Sequence, residues 1–300
     1  MSDKTLTLKP KREKRERFTP LTVIMLIVLA LYCVILLSLL VWALTMSVRH
    51  PMDDEVTGFP REFYFGNFSY IYNNFTVDKI IDGHKTQIAT STMLLNSILY
   101  ALGCSFFQTL VPCITAYLCA KYTYKFSGFV YGAVLVTMVI PIVGNQTSEL
   151  QMAINLGIYD KIWGMWIMKA NFLGLYFLVF HEFFKSLPQA YSEAAEIDGA
   201  SDFAVMVRIA VPLAKNLFFT VLLINFVTYW NDFQTPMLYL PTHPTISEAL
   251  YWIKSSSLDL FGTLPVKMAA PMLLLAPVLV LFLCFHKRLL GNLTVGGVKG

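Results

Sequence analysis

Charge is scarce in this sequence. Asp, Glu, Lys and Arg make up 14% of its 300 residues, whereas 56% are hydrophobic. A soluble domain of this length needs a more polar surface, so a water-soluble globular fold is excluded. Cysteine is sparse as well: Cys33, Cys104, Cys113, Cys119 and Cys284 all fall inside apolar runs, and there is no C-x-x-C pair. This leaves reduced thiols facing lipid or other helices, not a disulfide framework or a zinc site. The five histidines (His50, His84, His181, His243 and His286) are scattered, with no H-E-x-x-H and no Ser/His/Asp constellation. No catalytic or metal centre is therefore expected. There is no G-x-x-x-x-G-K-[ST] phosphate loop either, so nucleotide binding is not expected of this chain. Alternating β-barrel patterning, short repeats and low-complexity tracts are absent.

What remains is long apolar runs, and mean hydropathy is +0.58. A spanning helix needs about 20 mostly apolar residues. Six segments qualify: Leu21–Met46, Leu94–Ala120, Phe126–Gln146 (broken by Pro141), Ile162–Phe184, Leu213–Met237 and Lys267–Phe285. The fourth is interrupted by Lys169, His181 and Glu182. Unpaired backbone groups are too costly in lipid, so all six are read as helices, giving an all-α polytopic membrane protein. Leu21–Met46 is too long for the apolar region of a signal peptide, and no A-x-A site follows it. A retained anchor is expected.

Seven basic residues lie between Lys4 and Arg17, directly before the first apolar run. Such a run can bind nucleic acid, but beside a span it reads as an orientation signal in contact with lipid. With the N-terminus cytoplasmic, the inner segments also hold Lys121, Lys125, Lys185, Arg208, Lys215, Lys287, Arg288 and Lys299, for 15 of the 23 Lys/Arg. Both termini are then cytoplasmic. The expected organisation is a basic tail (1–20), the first span with an extracellular segment (21–91), a membrane core (92–290) and a Gly-rich tail (291–300). The segment 47–91 is aromatic and polar and reads as a small packed cap. Its Asn-x-Ser/Thr matches at Asn67 and Asn74 read as chance. Gly128 and Gly132 form a small-xxx-small pair that either packs helices closely or reflects the abundance of glycine in spans.

One inner segment, 185–212, has the punctuation of two short helices. Ser186 can cap the first, with Pro188 in its first turn. Ala190, Ala194, Ala195 and Glu196 favour helix, and Gly199 supplies the stop. Ser201 can cap the second, and Pro212 ends it. Ala194 and Ala195 permit close approach of a partner, and Glu193 offers it a charge. The same segment could also lie as an amphipathic loop on the membrane.

Within it, Glu193-Ala194-Ala195 is followed after three residues by Gly199, and after nine more by Ile209-Ala210-Val211-Pro212. This resembles the permease signature of ATP-binding-cassette (ABC) importers, departing only at Val211, where Leu is usual. Phe183–Pro188, Asp198–Ser201, Trp230–Phe233 and Leu293–Gly300 extend the likeness to the carbohydrate-uptake branch, and within it to the maltose-type second permease subunit. It covers roughly residues 90–300.

The resemblance implies a type I importer core and a multi-pass subunit of a bacterial cell membrane. It also implies a second, homologous permease, two ATPase subunits that use ATP and Mg, and an extracellular sugar-binding protein. This chain would bind no cofactor itself. Glu193, Ala194, Ala195, Gly199, Ile209 and Pro212 would form the ATPase-coupling elbow, and the tail would reach between the ATPases. The loop 238–265 would probe the binding protein, with Tyr239, Tyr251 and Trp252, alongside His243 and Asp259, as contact candidates.

For the translocation path, Asn225, Thr228 and Asp232 share one helical face, and Ser105 and Gln108 share another. Interhelical hydrogen bonding is an equal alternative for both sets. The resemblance puts the sugar mainly on the other permease. A stand-alone secondary transporter and an integral membrane enzyme are the rival classes.

Overall fold

A computed structural model describes residues 19–53, 58–60, 62–81, 83–122, 124–140, 144–255 and 259–293. Helix α1 (Pro20–Ser47) starts at Thr19, whose side chain accepts a hydrogen bond from the N–H of Thr22. Its 28 residues reach about 42 Å at 1.5 Å each, enough to cross a bilayer. It is apolar all round and exposed along nearly its whole length. The hydroxyls of Ser38, Thr45 and Ser47 bond back to carbonyls three residues earlier, which satisfies them without water.

The cap follows as α2 (Gly66–Asn74) and an antiparallel hairpin, β1 (Thr76–Ile81) with β2 (His84–Ala89). The sequence had not predicted this hairpin. Ile71, Phe75, Val77 and Ile88 are buried in the cap, while Phe63, Tyr64, Phe65 and Tyr72 face outward. Asn67 is fully buried, and its Nδ2 donates to the carbonyls of Ser47 and Arg49 at 2.9 and 2.7 Å. Its amide therefore ties the cap to the end of α1.

Helix α3 (Thr90–Lys121) is the central post. α4 (Lys125–Val139) ends earlier than the expected third span, because Ile140, which precedes Pro141, takes the extended conformation (ψ 115°) that a following proline favours. Gln146 starts a new helix, α5 (Gln146–Asn155), instead of closing that span. The expected fourth span is two helices, α6 (Ile162–Lys169) and α7 (Leu175–Lys185). Between them Gly174 sits at φ +135°, which a residue with a Cβ rarely adopts.

After α8 (Ala190–Ile197), α9 (Asp202–Val205) runs through a π-turn (Met206–Ala210) into α10 (Val211–Asn231) without a break. Pro212 therefore does not end a helix. It sits at the second position of α10, where the wider π-turn before it accommodates its missing N–H. The span stops at Asn231, not Met237, because Asp232 is extended (ψ 118°). α11 (Gln234–Tyr239), α12 (Ile246–Ser255) and α13 (Leu264–Leu293) complete the chain. Trp230 Nε1 donates to the carbonyl of Leu274 at 2.9 Å, which joins α10 to α13.

Four helices among the described residues are long and apolar enough to cross a membrane: Pro20–Ser47, Thr90–Lys121, Asp202–Asn231 and Leu264–Leu283. Two cores stack along α3. One joins the cap, α6, α12 and α13 around Met93, Tyr100 and Trp230. The other joins α4, α7 and α10 around Tyr117, Phe177 and Phe180. Close approach of α6 to α3 is set by Gly103, where a Cβ would lie 2.0 Å from Trp166 Nε1. That indole donates to the carbonyl of Leu99 at 3.0 Å. Gly128 and Gly132 face open space, so neither mediates close packing within this chain.

Candidate functional site

The elbow 185–212 is built by local chain chemistry. Ser186 does not start its first helix. Its N–H and hydroxyl both bond back to carbonyls at the end of α7, and Gln189 precedes α8 with no side-chain cap. The end of α8 has a complete Schellman pattern. The N–H of Ala200 bonds to the carbonyl of Ala195 at 2.9 Å, and that of Gly199 to the carbonyl of Glu196 at 3.0 Å. Gly199 holds the left-handed conformation this requires, φ +78°. The spacing of Ala195 to Gly199 in the signature is thus the spacing of that closure. Ser201 Oγ accepts from the N–H of Ala204 at 3.3 Å and caps α9 as expected.

No residue of α8 is buried. Glu193, Ala194, Gly199 and Pro212 are exposed, and Ala195 and Ile209 are half-buried. Beside them Ile197 is 86% and Phe203 69% exposed, which adds two large apolar side chains to the tip of the elbow. Sequence reasoning passed over both; the signal was their position flanking the Gly199 turn, in a segment expected to be solvated. Charge ties the elbow to the bundle through Lys121 Nζ and Glu196 Oε1 at 3.8 Å. Burial, then the Asp202 carboxylate, push the Tyr122 phenol at the foot of α3 up to about 12.

Of the polar residues on the two helical faces, the fold brings three to the seam between α3 and α10. Asn225 is buried, and its Nδ2 donates to Thr109 Oγ1 at 3.0 Å. Tyr229 Oη donates to Gln108 Oε1. Asp232 accepts from Tyr100 Oη at 2.9 Å and from the N–H of Thr235 at 3.1 Å. Ser105 and Thr228 stay out of this ladder. Each bonds a carbonyl of its own helix, and Thr228 is exposed. Gln108 also lines a cleft of about 220 Å³ against the break between α6 and α7, with Pro112, Asn171 and Tyr176.

At the opposite end, Tyr251 and Trp252 are about half exposed, and Tyr251 stacks on Phe233 with ring centroids 5.1 Å apart. Tyr239 is buried instead. Its hydroxyl donates to the carbonyl of Gln146 at 3.3 Å, and burial, with Glu149 second, holds its pKa above the ordinary value. His243 is half exposed, with Nδ1 3.3 Å from Asp160 Oδ1. The side chain of Asp259 lies outside the described residues. Asp160 is at φ +56°, held by its N–H to the carbonyl of Tyr239 (3.0 Å) and by Thr242 Oγ1 donating to its carboxylate (2.7 Å). Glu248 is fully buried and pairs with Lys79 of the hairpin at 2.5 Å.

A bundle whose described residues include four helices long and apolar enough to cross a membrane, with a two-helix elbow at one end and a hydrogen-bonded cap at the other, defines a polytopic membrane protein. Residues 11–295 match the family described as binding-protein-dependent transport system inner membrane component, and the chain belongs to that family. Among its relatives is the arabinooligosaccharides transport system permease protein AraQ of Bacillus subtilis (strain 168). It is 22% identical over 271 residues, covering 90% of each chain. The melibiose/raffinose/stachyose import permease protein MelC of the same organism is 25% identical over 81% of this chain and 83% of its own. The fold is also that of a chain in a bacterial ABC transporter involved in the import of the acidic polysaccharide alginate. Their TM-score is 0.72 at 18% identity, over 93% of this chain and 99% of that one.

Proposed function

We propose that this chain is one of two permeases of an ABC importer for an oligosaccharide in a bacterial cell membrane. It takes both termini on the cytoplasmic side and six crossings, of which α6 and α7 together form the fourth. The basic tail 1–20, the first span with its outer segment (21–91), the core 92–290 and the tail 291–300 are its working parts. The chain hydrolyses nothing itself; ATP and Mg act on two separate ATPase subunits.

The observation that carries this reading is the elbow. A Schellman-closed α8 with no buried residue presents Glu193, Ala194, Ile197 and Phe203 together. Small residues let a cleft close around the helix, the apolar pair gives the contact area, and Glu193 selects a basic partner. Closure of the ATPases is passed through Gly199, Ile209 and Pro212 into the continuous helix Asp202–Asn231, which turns as a rigid body and alternates access. Gln108, beside the broken fourth span, is the path residue best placed to meet sugar; Asn225 and Asp232 hold α3 to α10. Tyr251 and Trp252 face the binding protein, while Tyr239 supports the loop from below.

Co-purification tests the reading. Wild-type chain should bring down a second permease and an ATPase. Glu193→Ala should lose the ATPase or uncouple its hydrolysis from uptake, since stranding the charge of a desolvated pair costs about 3–5 kcal/mol. A chain that purifies alone, with the variant unchanged, would sink the proposal.

A further inference from the structure

Beneath the elbow lies a cleft of about 370 Å³, enclosed by the end of α3, the end of α7, the start of α8 and the π-turn. Lys121, His181 and Lys185 line it, and none of its sixteen lining residues is acidic. Tyr117, also in its lining, is 5% exposed, and its hydroxyl is buried with no hydrogen-bond partner among the described residues. Buried hydroxyls are rarely left unpaired, because water that could bond them has been removed. Here the residue that carries the unpaired donor lines the same cleft as three basic side chains. Lys185 is exposed and makes no ion pair among the described residues; Lys121 has Glu196 at 3.8 Å, and His181 has Glu182 at 3.3 Å. Phe184 and Leu187 supply an apolar wall, and Leu213, 45% exposed, opens that wall toward the lipid-facing side of α10.

We propose that this cleft binds the phosphate of an anionic glycerophospholipid. Tyr117 Oη donates to a phosphate oxygen, Lys185 and Lys121 neutralise its charge, and an acyl chain leaves along Leu213. Basic pockets between membrane helices are suited to anionic headgroups, where charge-assisted hydrogen bonds are strong. A headgroup held there touches α3, α7, α8 and the π-turn at once. Lipid therefore sets the angle at which the elbow meets its partner. The orientation proposed above enters only in assigning the lipid to the cytoplasmic leaflet. Binding to the purified chain is read separately from its co-purification with an ATPase, so either idea can fail alone.

The full chain, purified in detergent, is titrated with phosphatidylglycerol and separately with phosphatidylcholine, and bound lipid is counted by native mass spectrometry. Retention should favour phosphatidylglycerol, and Lys185→Gln should weaken that preference about fivefold, as expected for one lysine at an anionic headgroup. Tyr117→Phe, which removes one oxygen and keeps the ring, should weaken it too. Lys215→Gln, an exposed lysine outside the cleft, should leave it intact. Equal retention of the two lipids, or a preference that survives both cleft variants, overturns the proposal. Displacement of phosphatidylglycerol by millimolar inorganic phosphate would overturn the lipid assignment and give the cleft to a soluble phosphate compound.

Discussion

At the hairpin end, Lys79 reaches a carboxylate 169 positions away, and Ile246, Asn96, Thr242 and Trp230 all join their hydrogen bonds to distant segments. At the elbow end, α8 buries nothing, and its hydrogen bonds close on neighbours a few residues away. One end is fixed by tertiary contacts. The other is a locally determined shape that buries no residue of α8. On the function proposed above, a permease needs both: a rigid frame, and a handle whose binding energy remains available for a partner.

The largest expected effect falls on the fixed end. Lys79→Met strands the Glu248 carboxylate, one of whose oxygens already lacks a partner among the described residues. The loss should be about 3–5 kcal/mol, and Lys79→Met/Glu248→Leu should recover most of it. Thermal unfolding in detergent measures both; a silent single variant would mean that water reaches the pair. Next comes packing. Gly103→Ala drives a methyl into Trp166 and should cost about 1–3 kcal/mol, whereas Gly128→Ala, in open space, should stay within about 0.5 kcal/mol. Equal effects would erase the distinction between the two glycines.

At the free end, Gly199→Ala forces a Cβ into a left-handed conformation at about 1–2 kcal/mol. Since α8 buries no residue and its ion pair to Lys121 is long at 3.8 Å, the chain's melting temperature should hold while recovery of the ATPase falls. A large drop in melting temperature would show the elbow to be part of the frame. The smallest effect is electrostatic. Lys85, 2.9 Å from the exposed Asp78, holds that carboxyl below its usual value. The pair's contribution is therefore complete above pH of about 4, the ordinary carboxylate range, and lost as pH falls through the lower folded value. Hydrogen exchange of the hairpin amides should speed up below that point, and Lys85→Gln should remove the pH step.

Much of the chain could be read in advance. Apolar run length gave the principal spans, and Gly199 and Ser201 marked the elbow, because stop and cap signals act through bonds only a few residues long. Some local signals were present but passed over. Asp82-Gly83 between β-prone runs is a strong hairpin signature. Thr245-Ile246-Ser247-Glu248 is a capping-box pattern, and the N–H of Glu248 does bond to Thr245 Oγ1 at 3.4 Å. The Glu248 side chain departs from that pattern because Lys79 draws it to the hairpin. The split of the fourth span and the burial of Tyr239 had no comparable mark: apolar composition does not report where a helix breaks, and an aromatic in a polar loop reads equally as surface or core.

By itself the sequence determined that this chain lives in a membrane, which apolar runs make its long helices, and that a glycine turn divides the segment 185–212. These follow from hydrophobic length, charge placement and backbone chemistry, all short-range. Only the tertiary structure decided that Gly103, not Gly128, is the close contact. It alone showed that Asn225, Gln108 and Asp232 make a ladder without Ser105 or Thr228, and that Tyr117, in the lining of a basic cleft, buries a hydroxyl with no partner among the described residues. Each of those depends on which faces of distant helices meet, and periodicity along one helix does not specify its neighbour.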